Sequence, residues 1–143
     1  MKKTLLLLML LPVLGWLGGC QTVPSEIPPD LSVADYFQKA QEASDAGKFG
    51  LALKYYQSFL ERYPEERDRD LWARYEIALL YSKLKDETTA LRLLDELLAQ
   101  YAGDEAALLP QGPRVLAEKI KAKLQAAEPP AAPPAEPPAP SAN

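Results

Sequence analysis

The chain has 143 residues, of which 16 are basic, 20 are acidic and none is histidine, so its formal net charge at pH 7 is −4. An acidic chain is a poor candidate for nucleic-acid binding, because the phosphate backbone selects positive surfaces. With no histidine and a single cysteine, Cys20, the chain lacks a Ser-His-Asp arrangement, a Cys-His pair and the usual zinc sites. We therefore expect neither an enzyme nor a cofactor or metal.

The first 19 residues have the features of a secretory signal peptide. Lys2 and Lys3 precede an almost wholly apolar run over residues 4–17, and two glycines follow. About 14 apolar residues are short for a membrane-spanning helix, which needs about 20. A basic start, a short apolar run and small residues at the end together predict a cleaved signal over residues 1–19.

The end of this segment, Leu17-Gly18-Gly19-Cys20, resembles a bacterial lipoprotein signal, in which an aliphatic and two small residues precede a cysteine. The resemblance implies that Cys20 receives a diacylglyceryl thioether, that the chain is cut before it and that the new N-terminus is acylated. Two acyl chains already give stable anchoring. The alternative is an ordinary secreted protein with one cysteine that has no disulfide partner.

The residue after Cys20 is Gln21 rather than the aspartate that retains Gram-negative lipoproteins in the inner membrane. The resemblance therefore favours the periplasmic side of the outer membrane, or the outer face of the plasma membrane in a cell with one membrane. Cleavage would remove Lys2 and Lys3 and take the formal net charge from −4 to −6.

Both ends of the mature chain have the composition of linkers. Residues 20–31 contain three prolines without periodicity, which predicts a flexible tether that spans at most about 35–40 Å. Residues 128–143 are nearly all proline and alanine, which predicts an extended, disordered tail with roughly 50 Å of reach. Two interpretations of the tail remain open: an inert solubilising segment, or one that contacts peptidoglycan or spans the periplasm.

Residues 33–66 and 71–104 repeat one pattern at an offset of 38, without gaps. In each copy the apolar positions recur at steps of three and four, which indicates helices. Gly47 and Pro64 mark the ends of the first two helices, Asp86 can cap the fourth, and Ser32 with Asp35 resembles a capping box for the first. The unit is therefore an antiparallel helix pair used twice. The matched pairs include Phe37 with Tyr75, Ala40 with Ala78, Ala52 with Ala90, Leu53 with Leu91 and Tyr63 with Tyr101.

This unit resembles the tetratricopeptide repeat, whose 34 residues place small side chains where two helices meet and close on a proline. The features that carry the resemblance are Ala40, Ala52, Tyr56, Phe59 and Pro64 in the first copy, and Ala78, Ala90, Leu94 and Leu97 in the second. The chain departs from the family in three ways. About four residues are added, which we place near ERDRD between the copies; Ala102-Gly103 replaces the second proline; and Tyr36 and Arg74 occupy the tryptophan position.

Two helix pairs alone bury too little surface, so we expect a further capping element. Pro113 suits a first helical turn, and an apolar stripe follows over Val115, Leu116, Ile120 and Leu124. The sequence thus predicts an all-α domain over residues 32–127: two tetratricopeptide-like hairpins and a capping helix over about 113–127, in the manner of an α-solenoid. A dimer formed through the last helix is the alternative.

Function is expected in a binding groove. The resemblance implies that the first helix of each pair lines a concave groove, and Ala34 faces it together with the predicted site residues Phe37, Gln41, Ser44, Trp72, Tyr75, Leu79 and Lys83. The third helix is apolar on more than one face, which is typical of a helix that is buried or covered. Whether Trp72 and Tyr75 meet a partner or pack beneath the fifth helix or the N-terminal segment stays open.

The whole chain resembles the BamD-like outer-membrane assembly lipoproteins in its lipoprotein signal, proline-broken tether, first helix and FLERYP ending. That family carries more repeats. The resemblance implies a lipid-anchored periplasmic scaffold that binds another envelope protein or peptide. The alternative is a structural envelope spacer whose tail, residues 128–143, contacts peptidoglycan or spans the periplasm. The acidic and basic residues at 61–70 are interpreted as a solvated connection rather than as acid-base catalysts.

Overall fold

The fold, taken from a computed structural model, is described for residues 27–127 and is all-α over that range. Its helices are α1 (Val33–Asp45), α2 (Phe49–Arg62), α3 (Arg67–Lys83), α4 (Glu87–Ala99) and α5 (Gln111–Ala127), with a 3₁₀ helix at Asp104–Leu108. Within these residues no helix is long and apolar enough to cross a membrane. The predicted signal (1–19), the lipidation site Cys20 and the tail (128–143) lie outside the described residues.

The helices form two packed hairpins and a closing helix, which confirms the predicted tetratricopeptide-like α-solenoid. Helix α1 packs on α2 and α3 packs on α4; α2 joins the hairpins through α3, and α5 packs on both α3 and α4. The alanines at the helix crossings are completely buried, so the helix backbones approach closely there. These residues are Ala40, Ala52, Ala78 and Ala90.

The helix ends follow the local sequence. Ser32 accepts a hydrogen bond from the Asp35 backbone N–H while the Asp35 carboxylate accepts one from the Ser32 backbone, so the predicted capping box is present. Gly47, with φ at +71°, follows α1, and Lys85 at the equivalent place after α3 has φ at +67°. Asp86 caps α4 by accepting from the Thr89 N–H. The two hairpin turns therefore share one left-handed conformation, although only one of them has a glycine.

The four extra residues lie inside α3. The sequence had placed them near ERDRD, in a connection between the hairpins. Helix α3 begins at Arg67 and has 17 residues, against 13 in α1. Asp68 and Asp70 stand in its first turn, where acidic side chains favour a helix N-terminus. Asp70 also pairs with Arg74 one turn later, at 2.6 Å. This charge pattern stabilises a helical extension, because both carboxylates lie at the positive end of the helix dipole and Asp70 also forms an i,i+4 ion pair.

The hydrophobic core has two parts, one for each hairpin. The first is aromatic: Tyr36, Tyr56 and Phe59 are fully buried, and the Phe59 ring stacks on Tyr63 with centroids 5.9 Å apart. The second is mainly aliphatic. Its buried members from α4 and α5 are Ala90, Leu94, Leu97, Ala117 and Leu124.

Helix α5 closes the second core with three of the four residues of the predicted stripe, but the contact face is rotated away from Val115. Leu124 is buried and Leu116 and Ile120 are half-buried, whereas Val115 is 58% exposed. The side chains that turn fully inward are Pro113 and Ala117. A small alanine lets α5 approach α3 and α4 as closely as the alanines of the hairpins do, so the contact face is rotated toward Ala117.

The segment predicted as free tether is packed from Ile27 onward. Ile27 and Leu31 contact the first core, and the Tyr63 hydroxyl donates to the Leu31 carbonyl at 2.8 Å. The packed region therefore includes at least residues 27–31, the last five residues of the predicted tether. Prolines break helical periodicity but not packing, because an extended segment can still offer carbonyls and apolar side chains to a helical pair.

Candidate partner-binding groove

The candidate site is the face between α1 and α3, where the first helices of the two hairpins lie side by side. On α1, Phe37 is half-buried with its ring edge-to-face against Tyr56 and Phe59, at centroid distances of 5.4 and 5.0 Å. The Arg69 guanidinium of α3 lies 5.3 Å from the Phe37 ring centroid. A cation at this distance is attracted by the ring face, so Phe37 and Arg69 form one joint surface.

One turn along α1, Gln41 is exposed and connects the groove surface to the core. Its side-chain amide donates to the hydroxyl of the fully buried Tyr56 at 2.6 Å and also lowers the pKa of the nearby Glu76 carboxyl on α3. Burial raises the pKa of the Tyr56 hydroxyl well above its ordinary value, and the nearby Glu76 charge raises it further. The hydroxyl therefore stays protonated, so it can donate a hydrogen bond while it accepts one from Gln41.

Glu76 is the centre of this network. Burial raises its pKa above the ordinary value, while the Gln41 hydrogen bond and the positive charge of Lys83 oppose that rise. Lys83 is exposed and donates to the buried Ser44 hydroxyl at 3.1 Å, and its ammonium group also lies 5.4 Å from the Phe49 ring centroid. The groove thus pairs a half-buried carboxylate with an exposed ammonium group across the junction of α1 and α3.

The structure brings together four of the seven predicted groove residues, namely Phe37, Gln41, Ser44 and Lys83. The other three lie toward α5. Tyr75 is only 7% exposed and belongs to the second core, and Leu79 is half-buried against the same core. Trp72 is half-buried, meets Tyr75 edge-to-face at 6.2 Å and lies against Gly112 of α5. Tyr75 therefore packs in the second core, and Trp72 packs against α5 while part of its surface stays exposed.

Two residues of the groove were missed from the sequence, Arg69 and Glu76. Arg69 was assigned to a solvated connection, and only the extension of α3 brings it over Phe37. Glu76 could have been found, because it lies on one stripe of α3 with Trp72 and Lys83 and is the one acidic residue within the apolar run of that helix. A carboxylate at such a position has to be partnered or costs stability.

This set of groups is suited to binding. An amide, an ammonium, a carboxylate and a guanidinium group offer hydrogen bonds and charge partners to an extended peptide, and the Phe37 ring offers an apolar contact. Among residues 27–127 there is no group of three or more potential metal ligands close enough to hold an ion. Two stacked helical hairpins with a recognition face between their first helices define the class: a tetratricopeptide-like interaction domain.

The comparisons agree with this class. Residues 72–104, which cover most of α3 together with α4, match the family model of the tetratricopeptide repeat. Repeats of this family are typically non-catalytic modules of protein–protein interaction scaffolds. The chain is also 33% identical over 97 residues to an uncharacterized protein of Treponema pallidum (strain Nichols).

That match covers 66% of this chain and 39% of the Treponema protein, so the chain spans about two fifths of the length of its relative. No solved structure matches the chain significantly. The comparisons thus support a repeat of a kind that typically mediates protein–protein interactions.

Proposed function

We propose that the chain is a membrane-anchored periplasmic lipoprotein, lipidated at Cys20, that serves as a protein–protein interaction scaffold in cell-envelope or outer-membrane assembly. Support for the anchor comes from the sequence Leu17-Gly18-Gly19-Cys20. Support for the scaffold comes from the repeat match and the packed hairpins. The single observation that carries the binding role is the face between α1 and α3, where hydrogen bonds hold the exposed side chains of Gln41 and Lys83 beside the half-buried Glu76.

The groove residues are preorganised for a partner. The Gln41 amide is fixed by Tyr56, and the Lys83 ammonium group is fixed by Ser44, so neither long side chain needs to lose all its rotamer freedom on binding. A side chain immobilised at an interface costs about 0.5–1.5 kcal/mol, and fixing it beforehand removes part of that cost. We therefore place the partner, another envelope protein or an extended peptide of one, across the α1–α3 face.

The mode of binding follows from the charges. Arg69 lies near the N-terminal end of α3 and Lys83 at its C-terminal end, with Glu76 between them. Fourteen helical steps separate the two cations along the axis by about 21 Å, at about 1.5 Å per residue. An extended segment of about six residues spans that distance. A partner with acidic groups near the two ends of such a segment would meet both cations.

The experiment is a crosslinked pull-down from intact envelopes, read by mass spectrometry. The groove variant is Gln41→Ala/Lys83→Ala, and the matched control is Gln57→Ala/Lys119→Ala, which removes the same two side-chain types at exposed positions on α2 and α5. We expect the wild type and the control to recover the same envelope protein and the groove variant to lose it at least tenfold.

A second variant blocks the groove without removing any side-chain contact of the folded chain. Ala34→Arg removes no packing, since Ala34 is exposed on α1 on the same side as Phe37 and Gln41, and it places a long side chain in the path of a partner. All variants are checked for unchanged melting temperature. If both groove variants stay folded and recover the same partner as the wild type, the proposed groove is wrong.

A further inference from the structure

The first hairpin holds the chain that precedes it by three side-chain hydrogen bonds to backbone carbonyls. We call the held segment, Ile27–Leu31, the strap. The Tyr36 hydroxyl donates to the Pro28 carbonyl at 3.3 Å, and the Tyr63 hydroxyl donates to the Leu31 carbonyl at 2.8 Å. Both tyrosines lie at the same end of the hairpin, since Tyr36 is in the first turn of α1 and Tyr63 follows the last turn of α2.

A third donor and two apolar contacts complete the attachment. The Arg62 guanidinium donates to the Pro29 carbonyl at 3.3 Å. Ile27 and Leu31, at the two ends of the strap, are half-buried against the first core. The rings of Tyr36 and Tyr63 meet edge-to-face with centroids 6.1 Å apart, so the two hydroxyls are set by packing and not by chance rotamers. The strap is therefore part of the folded hairpin.

This attachment shortens the connection between Cys20 and the domain. If the tether ran freely to the start of α1, it would span about 40 Å, at about 3.3 Å per residue. Counted from Ile27, the same chain spans at most about 25 Å. The attachment point also lies at one end of the hairpin, whereas the α1–α2 turn at Gly47 lies at the other, one helix length away.

We propose that the strap orients the repeat domain on the membrane: the hairpin end that carries Ile27–Leu31 faces the lipid surface and the α1–α2 turn points away from it. The proposal rests on the proposed lipid anchor at Cys20. Because α1 and α3 both run from one end of the stack toward the other, the strap-side end of their shared groove then lies nearer to the membrane than its other end.

Charge alone would not give this orientation. The strap end and the neighbouring start of α3 carry three arginines, Arg62, Arg67 and Arg69, and these are outnumbered by the nearby acidic residues Asp30, Glu65, Glu66, Asp68 and Asp70. Such a surface is not drawn to anionic lipid, which attracts basic segments. The orientation therefore depends on the strap and should be insensitive to salt, since the electrostatic attraction of exposed charges is what salt screens.

The experiment measures energy transfer from a labelled residue to the bilayer. The full chain, lipidated in cells and purified, is reconstituted in vesicles of phosphatidylethanolamine and phosphatidylglycerol that contain an acceptor-labelled lipid. A donor dye is attached at Glu65→Cys, beside the strap, or at Ala46→Cys, at the α1–α2 turn; both positions are exposed. Helix α2 has 14 residues and is about 21 Å long, so transfer from the first position should exceed that from the second clearly.

The strap is then released with Tyr36→Phe/Arg62→Ala/Tyr63→Phe, and Tyr55→Phe on α2 serves as the matched control. We expect the release to reduce the difference between the two dye positions by at least half, and the control and added salt to leave it unchanged. If the triple variant loses helicity, Arg62→Ala/Tyr63→Phe is read in its place, since it spares the fully buried Tyr36.

The outcomes separate the two proposals. If the chain does not float with the vesicles at all, the lipid anchor fails and the orientation fails with it. If the chain floats but both dye positions transfer equally, or if the difference survives release of the strap, the orientation is overturned while the anchor stands.

Discussion

Gly112 lies directly against the indole ring of Trp72. A Cβ atom built on Gly112 would be 2.6 Å from Trp72 Cζ2 and 2.8 Å from Cη2, closer than such atoms can approach. The second residue of α5 is thus a glycine because the widest side chain of α3 passes beneath it. This contact is how α5 covers the part of α3 that the sequence pattern alone would have left to a partner.

We predict that Gly112→Ala lowers the free energy of unfolding by about 1–2 kcal/mol. Overpacking destabilises a folded chain by about 1–3 kcal/mol. The better helix propensity of alanine offsets less than about 1 kcal/mol of this loss. The matched control is Gly50→Ala, at the second position of α2, where nothing lies within 4 Å of the added methyl group. The control should stabilise the chain by about 0.5–1 kcal/mol.

The measurement is urea unfolding of both variants, with the fluorescence of Trp72, the one tryptophan after the proposed cleavage site, as a second readout. Gly112→Ala should shift the emission of Trp72 to longer wavelength, because the indole must move toward solvent to make room. Equal stabilisation by both alanines would show that α5 does not rest on Trp72 as described.

The second hairpin turn predicts a stabilising substitution. Lys85 has φ at +67°, the conformation that Gly47 adopts at +71° in the first hairpin. A residue with a Cβ atom costs about 1–2 kcal/mol in that region. Replacing it with glycine removes this cost, but the greater conformational entropy of glycine in the unfolded chain offsets part of the stabilisation. Lys85→Gly should therefore raise the free energy of unfolding by about 0.5–1 kcal/mol, and Gly47→Ala should lower it. A thermal melt in which Lys85→Gly has no effect or destabilises the chain would contradict the shared turn.

Glu76 predicts a pH dependence of stability. Burial raises its pKa in the folded chain above the ordinary value of 4.5, against the opposing effects of Gln41 and Lys83. The unfolded chain therefore loses this proton at lower pH than the folded chain, and the stability that protonated Glu76 contributes is lost as pH rises from 4.5 through the raised pKa. Glu76→Gln should raise the melting temperature at pH 7, and its advantage should shrink to nothing near pH 4.5.

The capping carboxylates have the opposite sign and do not obscure this test. Hydrogen bonds from Ser32 and Thr89 lower the pKa of Asp35 and Asp86 below the ordinary 3.8, so their contribution is lost only as pH falls below that range. Melting curves taken between pH 4.5 and 8 are therefore sufficient. A constant difference in melting temperature between the wild type and Glu76→Gln across that range would show that burial does not raise the pKa of Glu76.

Local patterns predicted the repeat well because each depends on residues close in sequence. The capping box of Ser32, the Asp86 cap and the alanines at the crossings act within one helix or one helix pair. The apolar face of α5 was placed less well. The predicted stripe included Val115, which is exposed. The orientation of α5 is set by its packing on α3 and α4, and the small Ala117 allows the closest approach of the helices.

The groove was predicted only in part, for a reason that lies in tertiary structure. The repeat pattern assigns Phe37 and Tyr75 to equivalent positions, yet Phe37 borders an open face while Tyr75 is covered by α5. The two equivalent residues differ in burial because the second hairpin packs against the first hairpin on one side and against α5 on the other. Likewise, three hydrogen bonds from α1 and from the end of α2 hold the strap, and no periodic pattern within residues 27–31 predicts them.

The last prediction separates a scaffold from an envelope spacer. Deleting residues 128–143 should leave the melting temperature unchanged, because Leu124 of α5 already closes the second core within the described residues and the first core is built from α1, α2 and α3. If the groove is the working part, the deletion should also leave recovery of the partner in the envelope pull-down within about twofold of the wild type, while Ala34→Arg in the full chain abolishes it. Full recovery by Ala34→Arg with loss in the deletion would instead make the tail the functional element and the hairpins its spacer, since a folded domain that binds nothing can only hold the two ends of the chain apart.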